Sequence, residues 1–190
     1  MCGRMNITDD PAVRWLWDYF QLPFQINSNA ELCPSQEVAT LVWGNDQLQQ
    51  RNSTWGIQPS WSKKLIINAQ SETVHSKKTF KAAFVQQRCL IPCNGWYEWR
   101  DEGGARKQKY YFSHADGLPF LMAGVYFNVG TQSQLVTLTT KPNQACGEIH
   151  KRMPVLINPE QVKQWFGLNA EDVRKMLLAN AGDKIKIDAC

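Results

Sequence analysis

Four residues of this 190-residue chain combine type and position in a way that could do chemistry, and Cys2 is the first. Amino-terminal processing usually removes Met before a small residue, which would leave an α-amine and a thiol together on Cys2. The reference pKa values are about 8 for such an amine and about 8.5 for the thiol, so near neutral pH an appreciable share of the amine is already nucleophilic. A 1,2-aminothiol of this kind condenses with an aldehyde to an imine. The thiol then closes on the imine carbon to give a five-membered thiazolidine. No internal cysteine can do this. The competing reading of Cys2 is a small hydrophobe buried near a chain end.

Glu98 lies in the segment Asn94-Gly95-Trp96-Tyr97-Glu98-Trp99, where strand alternation puts Trp96 and Glu98 on one face and Tyr97 and Trp99 on the other. Aromatic walls around a carboxyl raise its pKa toward the range useful for general acid catalysis, as needed to open a sugar hemiacetal or to move protons during imine formation. The alternative is a solvent-facing Glu on a strand whose rings are core. In Ile149-His150-Lys151-Arg152-Met153-Pro154, polar residues abut the apolar run Val155-Leu156-Ile157, and Pro154 imposes an extended approach. His150 can titrate near neutrality and Arg152 can grip a phosphate or carboxylate with two parallel hydrogen bonds. Taken singly, both also read as ordinary loop polarity. Asn68 and Gln70 share one strand face, where an amide could hold a sugar oxygen or simply satisfy a core hydrogen bond.

These residues need elements to position them. Thr8 to Gln21 is expected as a helix with Val13, Leu16, Trp17 and Phe20 on one face, and Ser76 to Gln87 as a shorter one. Strands are expected over 38–43, 49–57, 65–69, 88–99, 109–113, 120–127 and 135–140, with a last one between Lys184 and Cys190. Glu102-Gly103-Gly104 and Asp116-Gly117 read as hairpin turns, which favours antiparallel meanders over parallel crossovers. Asn158-Pro159 opens one late helix and Asn169 caps a second. The expected class is α+β, with mostly antiparallel sheets in a barrel-like core, peripheral helices, and one domain over residues 1–190 (2–190 after Met1 removal).

Eight Trp exceed what core filling alone usually takes, because a buried indole N–H needs a partner, so some should line a groove. A net charge of +4 tolerates nucleic acid as a partner without demanding it. Six Cys make no C-x-x-C pair and no zinc-ligand spacing, so neither a metal nor any other cofactor is expected. The amino terminus lacks an apolar h-region and no run is long enough to span a bilayer. A cytoplasmic protein with free thiols and no membrane partner is therefore expected.

In chain order, Cys2-Gly3-Arg4, Pro34-Ser35-Gln36, Trp55-Gly56-Ile57-Gln58-Pro59-Ser60-Trp61, Asn68-Ala69 with Glu72-Thr73, Arg88-Cys89-Leu90-Ile91-Pro92, Gly95-Trp96-Tyr97-Glu98-Trp99 and His150-Lys151-Arg152-Met153-Pro154 resemble the SRAP family, the SOS response-associated peptidases. The resemblance implies a β-rich fold whose basic cleft binds abasic sites in single-stranded DNA and at single-to-double-strand junctions, with Cys2 forming a thiazolidine on the ring-opened sugar. It implies Cys2 as nucleophile, Glu98 as acid for sugar opening, His150 as proton-transfer group and Asn68 as orienter of the sugar. It further implies Gly3, Arg4, Pro34, Trp61, Gln70, Trp96 and Arg152 as DNA contacts, the two arginines at phosphates and Pro34, Trp61 and Trp96 along the cleft or at exposed bases. A monomer is expected. Gln70 stands where the family often carries Arg, Glu31 and Cys33 where Asn and Ala are usual, and Met5 where an aromatic is usual. Two other functions remain open: a thiol peptidase or autoprocessing enzyme using Cys2, and a non-covalent single-strand binding module.

Overall fold

The computed structural model describes residues 3–179 and 184–190; Cys2, the expected nucleophile, lies outside the described residues. The strands are β1 (Met5–Ile7), β2 (Asn29–Leu32), β3 (Glu37–Gly44), β4 (Gln47–Trp55), β5 (Asn68–Gln70), β6 (Arg88–Cys93), β7 (Gly95–Arg100), β8 (Gln108–His114), β9 (Phe120–Val129), β10 (Gln132–Thr140), β11 (Met153–Pro154) and β12 (Ile185–Ala189). The helices are α1 (Asp9–Phe20), α2 (Lys81–Gln86), α3 (Gln144–Gly147), α4 (Val162–Gly167) and α5 (Ala170–Ala179). The class is α+β, as expected.

β10, β4, β3, β6 and β9 pair in that order, and β9 pairs back onto β10, so the five strands close into a barrel. Closure removes the exposed edges that a strand-rich chain must otherwise protect. β10 has room for this because Gln134 and Leu135 pair with β4 while β5 continues the same edge over Thr137 to Thr139. Its far end also holds β11. A second, antiparallel sheet runs β12-β8-β7-β1-β2. Side-chain alternation divides the apolar residues into two clusters. Leu41, Leu90, Leu121, Ala123 and Val125 pack with Phe84, Trp165 and Val173 of the helices. Val38, Val42, Ile91 and Met122 pack with Met5, Trp96 and Phe112 of the second sheet. Each buried large side chain of this kind stabilises the fold by roughly 1.5–3 kcal/mol.

The expected strand over 88–99 is two strands in different sheets, β6 in the barrel and β7 outside it. The corner is Asn94. Its side chain accepts from Thr8 N at 2.9 Å and donates to Asp10 O at 2.9 Å, while its own N–H reaches Asn6 O at 2.9 Å. Gly95 then passes so close to β8 that a Cβ would sit 2.1 Å from Phe112 O, a position only glycine can fill. Asp116-Gly117 is also a sheet change and not a hairpin, since β8 and β9 lie in different sheets. The antiparallel expectation holds for most pairs but fails at β10, which runs parallel to both β4 and β5. The expected helix over 76–87 shrinks to α2, preceded by turns. β1 and β2 were not anticipated, being too short for a periodic signal.

Candidate active site

β7 carries Glu98 inward. Trp96 and Glu98 share its buried face, with 1 % and 3 % exposure, while Trp99 on the other face is only half-buried. Burial among such neighbours disfavours the carboxylate, and it pushes the Glu98 carboxyl up to about 7. His150 Nδ1 lies 3.8 Å from Glu98 Oε1. Burial also acts on this imidazole, lowering its pKa, and it outweighs the opposing hydrogen bond to Arg152. Both shifts favour the neutral forms, a carboxylic acid beside an imidazole, and desolvation outweighs the attraction an ion pair would supply.

His150 is aimed by a single helical turn. Asn143 caps α3 by accepting from Cys146 N at 2.9 Å, and His150 N closes onto Cys146 O at 2.9 Å. The ring then meets its own loop: Nδ1 is 3.2 Å from Arg152 N and 3.0 Å from Arg152 O. An unprotonated Nδ1 accepts from that N–H, and a protonated Nδ1 donates to that carbonyl, so either tautomer is accommodated. That suits a group which must take up and release a proton. The loop is pinned in turn by Arg152, whose Nη1 and Nη2 donate to Glu72 Oε1 and Oε2 at 2.7 and 2.8 Å and whose Nη2 also reaches Thr139 O at 2.5 Å. Arg152 holds the Glu72 carboxyl below its usual range. The guanidinium faces inward as a strut beneath the His150 loop.

Asn68 enters through the parallel pairing of β5 with β10, opposite Thr137. The Thr137 hydroxyl donates to Asn68 Oδ1 and fixes the amide. Thr137 and Thr139 share one face of β10, so Asn68 and the Arg152 strut hang from the same strand two residues apart. Glu98, His150, Arg152, Glu72 and Asn68 are thereby brought together from three separate chain segments, with Thr137 and Thr139 of β10 joining them. Gln70 is exposed at the end of β5.

The amino-terminal strand delivers Gly3 and Arg4. Met5 pairs with Trp96 and Tyr97 N donates to Arg4 O at 3.0 Å, so the register carried two residues further sets Gly3 level with Glu98. Arg4 points to the opposite face of the sheet, where its Nη1 meets Glu31 Oε2 at 2.7 Å. Pro34 is half-buried in the turn after β2, and Trp61 stands 68 % exposed in the turn closed by Ser62 N to Pro59 O at 2.8 Å. Trp96, expected along the cleft or at exposed bases, is 1% exposed in this structure. Its ring is stacked on Phe112 at 4.9 Å with 15° between planes, and Phe120 closes on it at 5.6 Å. Face alternation placed Trp96 beside Glu98 correctly, but that face is the apolar interior between sheet and barrel.

Sequence reasoning gave Glu72 no role, since its partner is 80 residues away. Thr137 and Thr139, buried polar residues in an apolar strand, were the available signal for β10 as a polar anchor.

The SOS response associated peptidase (SRAP) profile matches residues 1–189. "Abasic site processing protein YoqW" of Bacillus subtilis is 30% identical over 179 residues, covering 87% of this chain and 80% of that protein. "Abasic site processing protein YedK" of Escherichia coli is 30% identical over 140 residues, covering 71% of this chain and 63% of that one. A crystal structure of a Bordetella bronchiseptica protein superposes with a TM-score of 0.85 at 24% identity, over 100% of this chain and 99% of the other. That likeness bears on the fold alone. The chain is thus a member of the SRAP family.

Proposed function

We propose that this protein captures abasic sites in single-stranded DNA as a covalent thiazolidine on Cys2, the mature amino terminus once Met1 is removed. The observation that carries the reading is the buried Glu98 carboxyl, raised to about 7, beside His150 and level with Gly3, one residue from Cys2. The names of the relatives from Bacillus subtilis and Escherichia coli point the same way.

In the first step Glu98 gives its proton to the ring oxygen of the closed abasic sugar while the anomeric hydroxyl gives its own to His150, which breaks the C–O bond and frees the aldehyde. The Cys2 amine adds to that aldehyde, and loss of water, with proton movement through His150 and Glu98, leaves the imine. The Cys2 sulfur then adds to the imine carbon. Its proton passes to the nitrogen, and the five-membered ring closes with no oxidant or reductant. The Asn68 amide, held by Thr137, orients the sugar. Trp61 offers an exposed ring on which a neighbouring base can stack.

Three of the other five cysteines are set apart from Cys2 by their surroundings. Cys89, Cys93 and Cys146 are buried, which raises all three thiols and moves Cys93 to about 12 and Cys146 to about 11. None of these is a nucleophile at neutral pH.

The test is incubation of the mature protein with a single-stranded oligonucleotide containing one abasic site, read on a denaturing gel. A shifted band that Cys2→Ala abolishes is expected. An equal yield of adduct in Cys2→Ala would refute the reading.

A further inference from the structure

On the outward face of the second sheet, one carboxylate holds two cations. Glu31 of β2 receives Arg4 Nη1 on Oε2 at 2.7 Å, and Lys109 Nζ of β8 donates to its Oε1. Both bases lie along aromatic rings of β7: Lys109 Nζ is 4.0 Å from the centre of the Tyr97 ring, and Arg4 and Lys109 each lie 5.9 Å from the centre of the Trp99 ring. The Glu31 backbone is set by its own N–H donating to Asn29 Oδ1 at 3.0 Å. The two cations hold the Glu31 carboxyl below its usual range.

Two anionic oxygens, one for each cation, with π faces alongside, is also the arrangement a nucleic-acid phosphate would make here. We propose that Glu31 occupies a phosphate subsite formed by Arg4 and Lys109, so that a single strand must displace its carboxylate to engage them. Glu31 is then an affinity-setting residue: it masks two phosphate contacts beside the segment that leads to Cys2. This inference rests on the single-strand reading above. It requires no part of the covalent chemistry.

The two cations and the carboxylate are each partly exposed, with side-chain exposures of 32%, 26% and 44% for Arg4, Lys109 and Glu31, so a phosphate can reach the cluster without unfolding it. Exchange of one anion for another on exposed cations costs little. Release of counterions from a strand is governed by how many phosphates are neutralised, at a slope of about −0.7 per contact for single strands. The number of available cations is therefore readable from salt dependence.

The experiment measures binding of a labelled, undamaged oligothymidylate across a salt series, since a strand without a lesion cannot be captured covalently. Glu31→Gln should tighten binding by about 3- to 10-fold at low salt and steepen the log–log salt slope by about 1.4, corresponding to two added contacts. Adding Lys109→Gln should return about half of that change in slope. Glu171→Gln on α5 alters the net charge equally and should leave the slope unchanged. Finite binding with the same slope in wild type and Glu31→Gln, or weaker binding in Glu31→Gln, overturns the role of Glu31. Absence of strand binding by every variant overturns the single-strand reading itself, and the inference with it.

Discussion

Two carboxylates of one sheet, on β2 and β7 with β1 between them, meet bases and are shifted in opposite directions. Glu31 on the rim faces Arg4 and Lys109 in partial solvent, and its pKa falls because Lys109 first, and Arg4 with it, outweigh the desolvation of the carboxylate. Glu98, a few residues across the same sheet but on the inner face, meets His150 at 3.8 Å, and its pKa rises because burial outweighs every favourable charge nearby. Distance to a basic group does not decide protonation; access to water does. The sheet therefore separates a charged outer face, suited to gripping an anion, from a neutral inner face that can donate a proton.

This contrast can be broken in a graded series. Glu98→Gln should slow adduct formation by roughly 10²- to 10⁴-fold, the usual contribution of a positioned acid or base, with strand affinity unchanged. A loss of affinity with the rate intact would put Glu98 on the binding side of the comparison. The tryptophans provide the next test. Trp96→Ala should destabilise the protein by about 3–5 kcal/mol, because it empties a packed site against Phe112. Trp61→Ala should leave the denaturation midpoint in place and weaken strand binding by ~1–3 kcal/mol. Equal stability losses for the two would erase the distinction between core ring and stacking ring.

A third effect is thermodynamic. The folded protein holds a proton on Glu98 at pH values where the unfolded chain has released it. Stability therefore falls as pH rises from the ordinary carboxyl value of 4.5 to about 7, and the loss persists above that. By this linkage Glu98→Gln should be more stable than the parent at pH 8, by on the order of 3 kcal/mol, and nearly equal to it at pH 4, as read from urea midpoints. Equal differences at both pH values would contradict burial as the cause. The smallest effect belongs to the strut: Glu72→Gln should slow the reaction by about tenfold by loosening the His150 loop, and shift the pH dependence of the rate, while leaving strand binding alone. A parallel drop in strand affinity would make Arg152 a phosphate contact instead.

The sequence showed the residues of the site more readily than their settings. Glu98, His150 and Asn68, which the structure links through one polar cluster, could be singled out because each combines an unusual chemistry with a recognisable local pattern, whereas Cys2 lies outside the described residues. The burial of Trp96 was hidden because alternation reports which residues share a face, but whether that face lines a groove or a core depends on what docks over it. The barrel's closure was equally hidden, because the parallel contacts of β10 with β4 and β5 join segments far apart in the chain and leave no local periodicity. Asn94-Gly95 could be read as a punctuation mark, yet only the corner's hydrogen bonds to Thr8, Asp10 and Asn6 explain why the chain leaves the barrel there. Glu31 was visible as an unusual residue before its two partners were known.

The most direct test of the account is the pH–rate profile of single-turnover adduct formation with abasic single-stranded DNA. The wild-type protein should give a bell, rising with deprotonation of the Cys2 amine and falling above about pH 8, where loss of the Glu98 proton is no longer offset by further deprotonation of the amine, while Glu98→Gln lacks the alkaline fall. An identical alkaline limb in both proteins would contradict the assignment of Glu98 as the buried acid.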